Sequence, residues 1–306
     1  MKRIAILLGA MVMCSLLDAH SVGAQEVIPL YQDAIPNSRS VPSRENVESD
    51  GVVTRIWNVT VPTMTAYRPA KDKSAGSAVL IFPGGGYQYE AINIEGTQIA
   101  EALVRQGVAA FVVKYRLPSD STMLDKSLGP LEDAQQAILV VREHASRWGI
   151  NPDKIGVMGF SAGGHLASTA GTHFDKFFVS DPQGISLRPD FMVLVYPVIS
   201  MSDRLAHMGS RDLLLGKNPP DSLKNFFSSE LNVTDKTPPT FITLAEDDRG
   251  VDPDNSIEFF EALRHHKVPA ELVIIPKGGH GFAARIPPEK WMPPLISWMR
   301  DNGWVK

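Results

Sequence analysis

Six short runs of apolar or β-branched residues restrict the folds open to this chain of 306 residues. They cover residues 78–82, 108–115, 155–158, 191–196, 241–244 and 271–275, and helix-forming stretches separate several of them. Strands that are apolar throughout are buried on both faces, which happens when helices cover both sides of a parallel sheet. The pattern therefore predicts an α/β fold with a doubly wound, mostly parallel sheet and helices on both faces.

A glycine-flanked serine follows the third run. The segment Gly159–Gly163 reads G-x-S-x-G, and it lies between a predicted strand and a predicted helix. A sharp turn from strand to helix strains the backbone of the serine and exposes its hydroxyl, while the glycines let neighbouring backbone pass. The dipole of the following helix favours a developing negative charge. We predict that Ser161 is a nucleophile; the alternative is an ordinary serine in a glycine-rich loop.

A serine nucleophile needs a base, and in this kind of site the base comes last in the chain. His280 stands between glycines in a loop that follows run 271–275, from which its ring can reach over the sheet edge. We therefore predict that His280 is the general base. His165 follows the serine in a predicted helix, where core packing is the simpler interpretation, and His207 lacks a position at a strand end.

The orienting acid is expected just past run 241–244, because an α/β sheet places functional groups at the carboxyl ends of its strands. Three carboxylates crowd this turn, Glu246, Asp247 and Asp248, and Asp252 follows. We predict Asp247, with Asp248 as the first alternative and the other two behind it. The order of acidic residues does not match an EF-hand loop, so we predict no metal site and no cofactor.

A glycine run follows the first apolar strand. Pro83-Gly84-Gly85-Gly86-Tyr87 lets the backbone approach a ligand closely, as an oxyanion-binding loop must. Two N–H groups have to point at one oxygen, and the residue after the nucleophile usually supplies one of them. We predict Gly85, Gly86 and Ala162 as these donors; the alternative is a flexible loop.

These motifs resemble the α/β-hydrolase superfamily, and within it the secreted bacterial carbohydrate esterases of the acetyl-xylan-esterase-like and feruloyl-esterase-like group. The resemblance extends over about residues 50–306. The stretches that carry it are 83–87, 95–96, 114–118, 159–167, 196–200, 209–211, 237–241, 255–256 and 278–282.

The resemblance implies a catalytic triad and three backbone oxyanion donors, which are Ser161, Asp247, His280, Gly85, Gly86 and Ala162. The acidic loop 248–252 is one residue longer than the usual spacing, which keeps Asp248 open as the acid. Related lipases carry histidine where this chain has Pro83.

The N-terminus has the pattern of a signal peptide: two basic residues, an apolar stretch, and Val22-Gly23-Ala24 as a cleavage site. We predict a signal peptide over residues 1–24, an extended N-terminal arm over 25–50 and an α/β-hydrolase domain over 51–306. The single cysteine, Cys14, lies in the leader, so the processed chain has no disulfide. Residues 200–236 lack a strand pattern and predict a small helical insertion.

The charge composition restricts the kinds of partner that the chain can bind. The net charge is −4 and there is no basic patch, so a nucleic-acid partner is not expected, nor a membrane after signal cleavage.

We predict a secreted or periplasmic serine esterase that removes short acyl groups, acetyl ahead of feruloyl, from plant polysaccharide fragments. The alternatives are a prolyl-oligopeptidase-like peptidase, for whose propeller the chain has no room, and a non-catalytic glycan-binding protein.

Overall fold

The computed structural model describes residues 26–179 and 184–306, so the predicted signal peptide lies outside the described residues. Within these ranges, no helix is long and apolar enough to cross a membrane. The strands are β1 (Glu26–Pro29), β2 (Asn46–Ser49), β3 (Thr54–Trp57), β4 (Thr63–Tyr67), β5 (Ala78–Phe82), β6 (Tyr89–Ala91), β7 (Ala109–Lys114), β8 (Ile155–Phe160), β9 (Met192–Val195), β10 (Thr240–Ala245) and β11 (Ala270–Ile275). The α-helices are α1 (Gln98–Arg105), α2 (Gly129–Glu143), α3 (Ala162–Thr172), α4 (Met208–Leu215), α5 (Asp221–Phe227), α6 (Asp254–His265), α7 (Pro288–Trp291) and α8 (Pro293–Asp301).

Eight strands form the main sheet in the order β1-β4-β7-β5-β8-β9-β10-β11. The six strands from β7 to β11 in this order run parallel, whereas β4 is antiparallel to β7 and β1 is antiparallel to β4. The predicted doubly wound, mostly parallel sheet is confirmed. A smaller antiparallel sheet, β2-β3-β6, lies apart from the main one.

Two hydrophobic cores cover opposite faces of the main sheet. Because side chains alternate along a strand, Leu80 of β5 belongs to one core and Ile81 to the other. Helices α2, α3 and α6 contribute to the first core, with α3 represented by Leu166. Helices α1 and α8 contribute to the second, with Leu103 as an example. Both faces are therefore buried, which explains why the strand runs are apolar throughout.

The N-terminal arm is more closely integrated than the sequence indicates. Strand β1 extends the main sheet by pairing with β4, and β2 pairs with β3 in the small sheet. The predicted boundary at residue 50 therefore does not separate the arm from the sheets. The exposure of β1 alternates residue by residue but the strand has only four residues, which is too short a pattern to predict a strand from the sequence.

A buried arginine fastens the arm to the domain. The Arg116 guanidinium contacts Asp133 at 2.8 Å and Glu132 at 2.9 Å, and only 1% of its side chain is exposed. It also donates to the carbonyl oxygen of Pro36 at 2.7 Å, and the hydroxyl of Tyr31 donates to Asp133 at 3.0 Å. The arm therefore packs on a paired and hydrogen-bonded cation, where loss of one partner leaves an uncompensated buried charge.

Replacement of this cation should destabilise the fold. We expect Arg116→Met to lower the free energy of unfolding by about 3–5 kcal/mol, because Asp133 would remain buried without its partner. The measurement is urea unfolding followed by tryptophan fluorescence. The control is Glu289→Gln, which breaks an exposed ion pair with Arg105 and should cost less than about 1 kcal/mol. Equal losses in the two variants would contradict the structural role of Arg116.

Candidate active site

The candidate site lies where the chain reverses its winding across the sheet. Strands β5 and β8 are parallel neighbours with Phe82 opposite Gly159, but α1 and α3 pack on opposite faces. A crevice opens outside the carboxyl ends of two such strands, and α/β proteins bind ligands there. The glycine loop continues from β5 and Ser161 continues from β8, so both reach this crevice.

Ser161 occupies a strained turn between β8 and α3. Its φ of 51° and ψ of −117° are rare for a residue with a side chain. The turn is fixed because its N–H donates to the carbonyl of Val195 at 3.1 Å and its carbonyl accepts from Val198 at 3.0 Å. A side chain at Gly159 or Gly163 would collide with backbone, at the Gly163 carbonyl and the Phe82 carbonyl respectively. Glycine is therefore required on both sides of the serine.

A chain of two hydrogen bonds joins serine, histidine and aspartate. The distance from Ser161 Oγ to His280 Nε2 is 2.8 Å, and that from His280 Nδ1 to Asp248 Oδ2 is also 2.8 Å. The Asp248 side chain is 2% exposed and that of His280 is 30% exposed. The other carboxylate oxygen of Asp248 accepts from the N–H groups of Gly250 and Val251. The acid is thus held on one side while it orients the imidazole on the other.

The prediction that Asp247 orients the histidine is wrong; the alternative, Asp248, makes that contact. Asp247 Oδ1 instead accepts from the N–H groups of Gly278 at 2.8 Å and Gly279 at 2.7 Å. The hydrogen bonds from these two glycines also lower the pKa of Asp247 below its usual range. Asp247 therefore holds the backbone of the loop that carries His280, and Asp248 holds its ring.

The predicted oxyanion donors are Ala162, which follows the serine, and two glycines of a loop that crosses it. Gly85 has a φ of 137° and Gly86 one of 65°, conformations that glycine adopts without strain. A side chain at Gly84 would meet the Cβ of Ser161, so this loop passes directly over the elbow. Among the hydrogen bonds of the described residues, none uses the N–H of Gly85, Gly86 or Ala162 as a donor. These three groups are left available to an oxygen on a ligand.

A buried carboxylate supports the glycine loop from below. Glu95, on a π-helical turn at Ile92–Thr97, accepts from the N–H of Gly84 at 2.6 Å and from the hydroxyl of Tyr196 at 2.8 Å. Burial raises the pKa of Glu95, whereas both hydrogen bonds and the charge of His280 oppose that rise. The ring of Tyr196 lies edge-on to the imidazole of His280, with centroids 5.2 Å apart. Glu95 therefore connects the glycine loop to the surroundings of the histidine.

His165 fixes the far end of the same loop. The distance from its Nδ1 to the Tyr87 hydroxyl is 2.7 Å, and that from its Nε2 to the Phe227 carbonyl is 2.8 Å. Burial lowers the pKa of His165 to about 4, so the ring is neutral at pH 7. In this form Nε2 donates to the carbonyl and Nδ1 accepts from the tyrosine. The core-packing interpretation of His165 is confirmed, with an added role in holding Tyr87.

His207 lies closer to the site than its sequence position suggested. It precedes α4 in the region predicted as a helical insertion, which the structure confirms with α4 and α5. Its Nδ1 contacts the Ser210 hydroxyl at 2.8 Å and accepts the N–H of the same residue, whereas the hydroxyl of Ser161 contacts His280. Burial lowers its pKa, as does the charge of His280, while Asp248 opposes the shift. The nearest part of this ring to Gly86 is Cε1, which a side chain at Gly86 would meet at ordinary van der Waals distance.

Three residues that the sequence analysis did not assign to the site therefore shape it: Glu95, Tyr196 and His207. Glu95 and Tyr196 lie in stretches that carried the family resemblance, which was the only signal for them. Within residues 26–179 and 184–306, no group of three or more histidine, cysteine, aspartate or glutamate side chains is arranged to hold a metal ion.

The fold and the geometry of this site define an α/β hydrolase. The BD-FAE family model matches residues 64–263, so the chain belongs to that family. The crystal structure of an acetyl ester-xyloside bifunctional hydrolase from Caldicellulosiruptor lactoaceticus superposes with a TM-score of 0.76 at 36% identity, covering 92% of this chain and 97% of that one. These matches confirm the resemblance to carbohydrate esterases.

Two curated relatives are also similar in sequence to this chain. An acetylxylan esterase from Xylanibacter ruminicola is 38% identical over 215 residues, which are 69% of this chain and 42% of that protein. Endo-1,4-beta-xylanase B from Butyrivibrio fibrisolvens is 39% identical over 227 residues, 72% of this chain and 35% of that protein. The chain therefore spans between a third and a half of the length of these relatives.

The two adjacent aspartates can be separated by the rate at which Ser161 reacts with a fluorophosphonate. We expect Asp248→Asn to slow this labelling by about 10⁴-fold, because the amide no longer holds the correct imidazole tautomer. Asp247→Asn should stay within about threefold, since its amide oxygen still accepts from the two glycines. The measurement is the second-order rate constant of labelling. A larger loss in Asp247→Asn would reverse the assignment of the acid.

The support below the glycine loop should affect turnover more than substrate binding. We expect Tyr196→Phe and Glu95→Gln each to lower kcat on p-nitrophenyl acetate by about 10–100-fold with little change in KM, because small displacements of catalytic groups are costly. The matched control is Tyr67→Phe, which removes a hydroxyl that hydrogen-bonds Thr97 at the end of the same turn instead of Glu95. If Tyr67→Phe loses as much kcat, the effect is a general loss of packing.

Proposed function

We propose that this protein is an exported serine esterase that removes short acyl groups, acetyl above all, from plant polysaccharide fragments. The observation that carries the proposal is the hydrogen-bonded series Ser161, His280 and Asp248 beneath an open glycine loop. Export rests on the signal-peptide pattern of residues 1–24. The polysaccharide substrate rests on the relatives, one of which is an acetylxylan esterase.

Acylation begins at the serine hydroxyl. Ser161 Oγ attacks the carbonyl carbon of the ester while its proton passes to His280 Nε2. The imidazolium that forms donates from Nδ1 to Asp248, whose buried charge stabilises it. The carbonyl oxygen becomes negative and accepts from the N–H groups of Gly85, Gly86 and Ala162. The ester C–O bond then breaks, and His280 returns the proton to the departing sugar oxygen.

Deacylation uses the same groups with water in place of the serine. His280 Nε2 accepts a proton from water as the water oxygen attacks the acyl-serine carbonyl. The second oxyanion accepts from the same backbone donors. Ser161 Oγ leaves with the proton held by His280, which releases the carboxylic acid and restores the free site. Each step uses only residues of this chain and water.

The surroundings of the glycine loop favour a small acyl group. Ser161 is only 7% exposed, and the side chains of His207 and Ser210, at the start of helix α4, lie near Gly86. Each extra methylene of an acyl chain would need additional apolar surface for its burial. Among such acyl chains, an acetyl group needs the least apolar surface for its burial.

Acyl preference provides the direct test. We expect kcat/KM to be highest for p-nitrophenyl acetate and to fall as the acyl chain lengthens, and we expect acetate release from acetylated xylo-oligosaccharides. Ser161→Ala should abolish both activities while changing the free energy of unfolding by no more than about 1–2 kcal/mol.

Other outcomes would refute parts of the proposal. A preference for acyl chains of eight or more carbons would overturn the acetyl assignment. Faster cleavage of peptide amides than of esters would favour a peptidase of the prolyl-oligopeptidase type. Absence of hydrolysis with retained xylo-oligosaccharide binding would favour a non-catalytic glycan-binding protein.

A further inference from the structure

A groove of about 500 Å³ opens between the N-terminal arm and the glycine loop. We call it the arm groove. Its lining includes Pro42 and Arg44 of the arm, Trp57 and Asn58 at the end of β3, and Gln88, which follows the glycine loop. The volume falls within the range of ligand-binding pockets.

The lining of the arm groove combines aromatic surface with uncharged hydrogen-bonding groups. Among the described residues that line it, Arg44 is the only one with a charge. The indole of Trp57 and the side chain of Leu117 provide apolar surface. The neutral polar side chains are those of Asn58, Thr60, Gln88, Ser119, Ser121 and Thr122. Such a surface suits an uncharged ligand rich in hydroxyl groups, because sugar rings present both polar edges and apolar C–H faces.

The arm groove begins close to the nucleophile. Tyr87 and Gln88, which line it, directly follow the predicted oxyanion donors Gly85 and Gly86. Gly84, at the start of this loop, lies against Ser161. Tyr87 is three residues further along the chain, so its Cα can be at most about 11 Å from that of Gly84. An acyl group at Ser161 can therefore be joined to a sugar in the groove without a long spacer.

Contacts with β7 and the segment after it hold the arm in place. Lys114 pairs with both carboxylate oxygens of Glu45, at 2.7 and 2.9 Å. The Arg116 guanidinium donates to the hydroxyl of Ser38 at 3.1 Å, and Arg39 donates to the carbonyl of Met123 at 2.8 Å. A wall fixed in this way costs less ordering on ligand binding than a loose segment would.

The arm and β3 also precede residues 64–263, the part of the chain that the BD-FAE family model matches. The nucleophile, the base-orienting acid and the glycine loop lie inside that range, whereas Arg44, Trp57 and Asn58 lie outside it. The proposed catalytic residues other than His280 therefore belong to the shared part of the chain, and these three lining residues of the arm groove do not.

We propose that the arm groove binds the sugar chain of the substrate, an uncharged oligosaccharide whose acyl ester reaches Ser161. This inference rests on the proposed function and adds to it the place of the carbohydrate. The arm then sets the preference of the enzyme for its alcohol component, while the crevice at Ser161 sets the preference for the acyl group. Trp57 packs on the apolar face of a sugar ring, and Arg44, Asn58 and Gln88 bind its hydroxyls.

The test compares two substrates that share an acetyl group. The quantity measured is kcat/KM for acetylated xylo-oligosaccharides divided by kcat/KM for p-nitrophenyl acetate. We expect this ratio to fall about tenfold in Trp57→Ala and about threefold in Arg44→Ala, from the loss of an aromatic contact and of hydrogen bonds. The control is Gln32→Ala, an exposed arm residue in a separate hollow, which should leave the ratio unchanged.

A second measurement does not depend on turnover. Unesterified xylo-oligosaccharides should bind Ser161→Ala by calorimetry, and Trp57→Ala in the same background should weaken that binding about tenfold. Trp57 also packs against Tyr89, with ring centroids 4.9 Å apart, so Arg44→Ala serves as the second variant if Trp57→Ala misfolds.

Three outcomes would overturn the inference. One is an unchanged ratio and unchanged binding in both variants. Another is an equal fall in Gln32→Ala. The third is loss of kcat/KM for methyl ferulate alone, which would assign the groove to an aromatic acyl group. A wild-type protein that hydrolyses no ester would refute the proposed function instead, and the calorimetric result would still decide whether the groove binds sugar.

Discussion

The site depends on the close approach of backbone at the carboxyl ends of β5 and β8. Helix α3 can start directly above Phe82 only because Gly163 has no side chain, and the loop after β5 can cross Ser161 only because residue 84 is also glycine. Nucleophile and oxyanion donors therefore belong to one packed unit of main chain. Glu95 strengthens this unit, since its carboxylate accepts from Gly84 and, through Tyr196, reaches the environment of His280.

Much of this arrangement follows from local sequence, but not all of it. The buried runs specified the parallel sheet because burial on both faces removes polar residues from a strand. Ser161 and His280 were predictable because glycines surround them at strand ends. The choice between Asp247 and Asp248 depends on which side of one turn each carboxylate faces, and consecutive residues after a strand carry no pattern that decides it. Glu95 is recognisable only once the fold brings it beneath Gly84.

The arm shows a different limit of sequence interpretation. Strand β1 has four residues, and the contacts that hold the arm join side chains about 70–80 positions apart, such as Lys114 with Glu45 and Arg116 with Ser38. Periodicity within the arm cannot reveal such pairings. The reacting residues Ser161 and Asp248 lie in the shared hydrolase core. The arm lines the groove that we propose for the sugar part of the substrate.

The reacting groups come from the ends of four strands, β5, β8, β10 and β11, and Ser161 and His280 are 119 positions apart in the chain. Loop closure over such separations must be completed before any of these contacts contributes energy, which is typical of slow-folding topologies. No contiguous fragment that stops before β11 contains the base. Recovery of ester hydrolysis after dilution from denaturant should therefore lag behind recovery of helical signal, because activity requires the ends of all four strands to be in place.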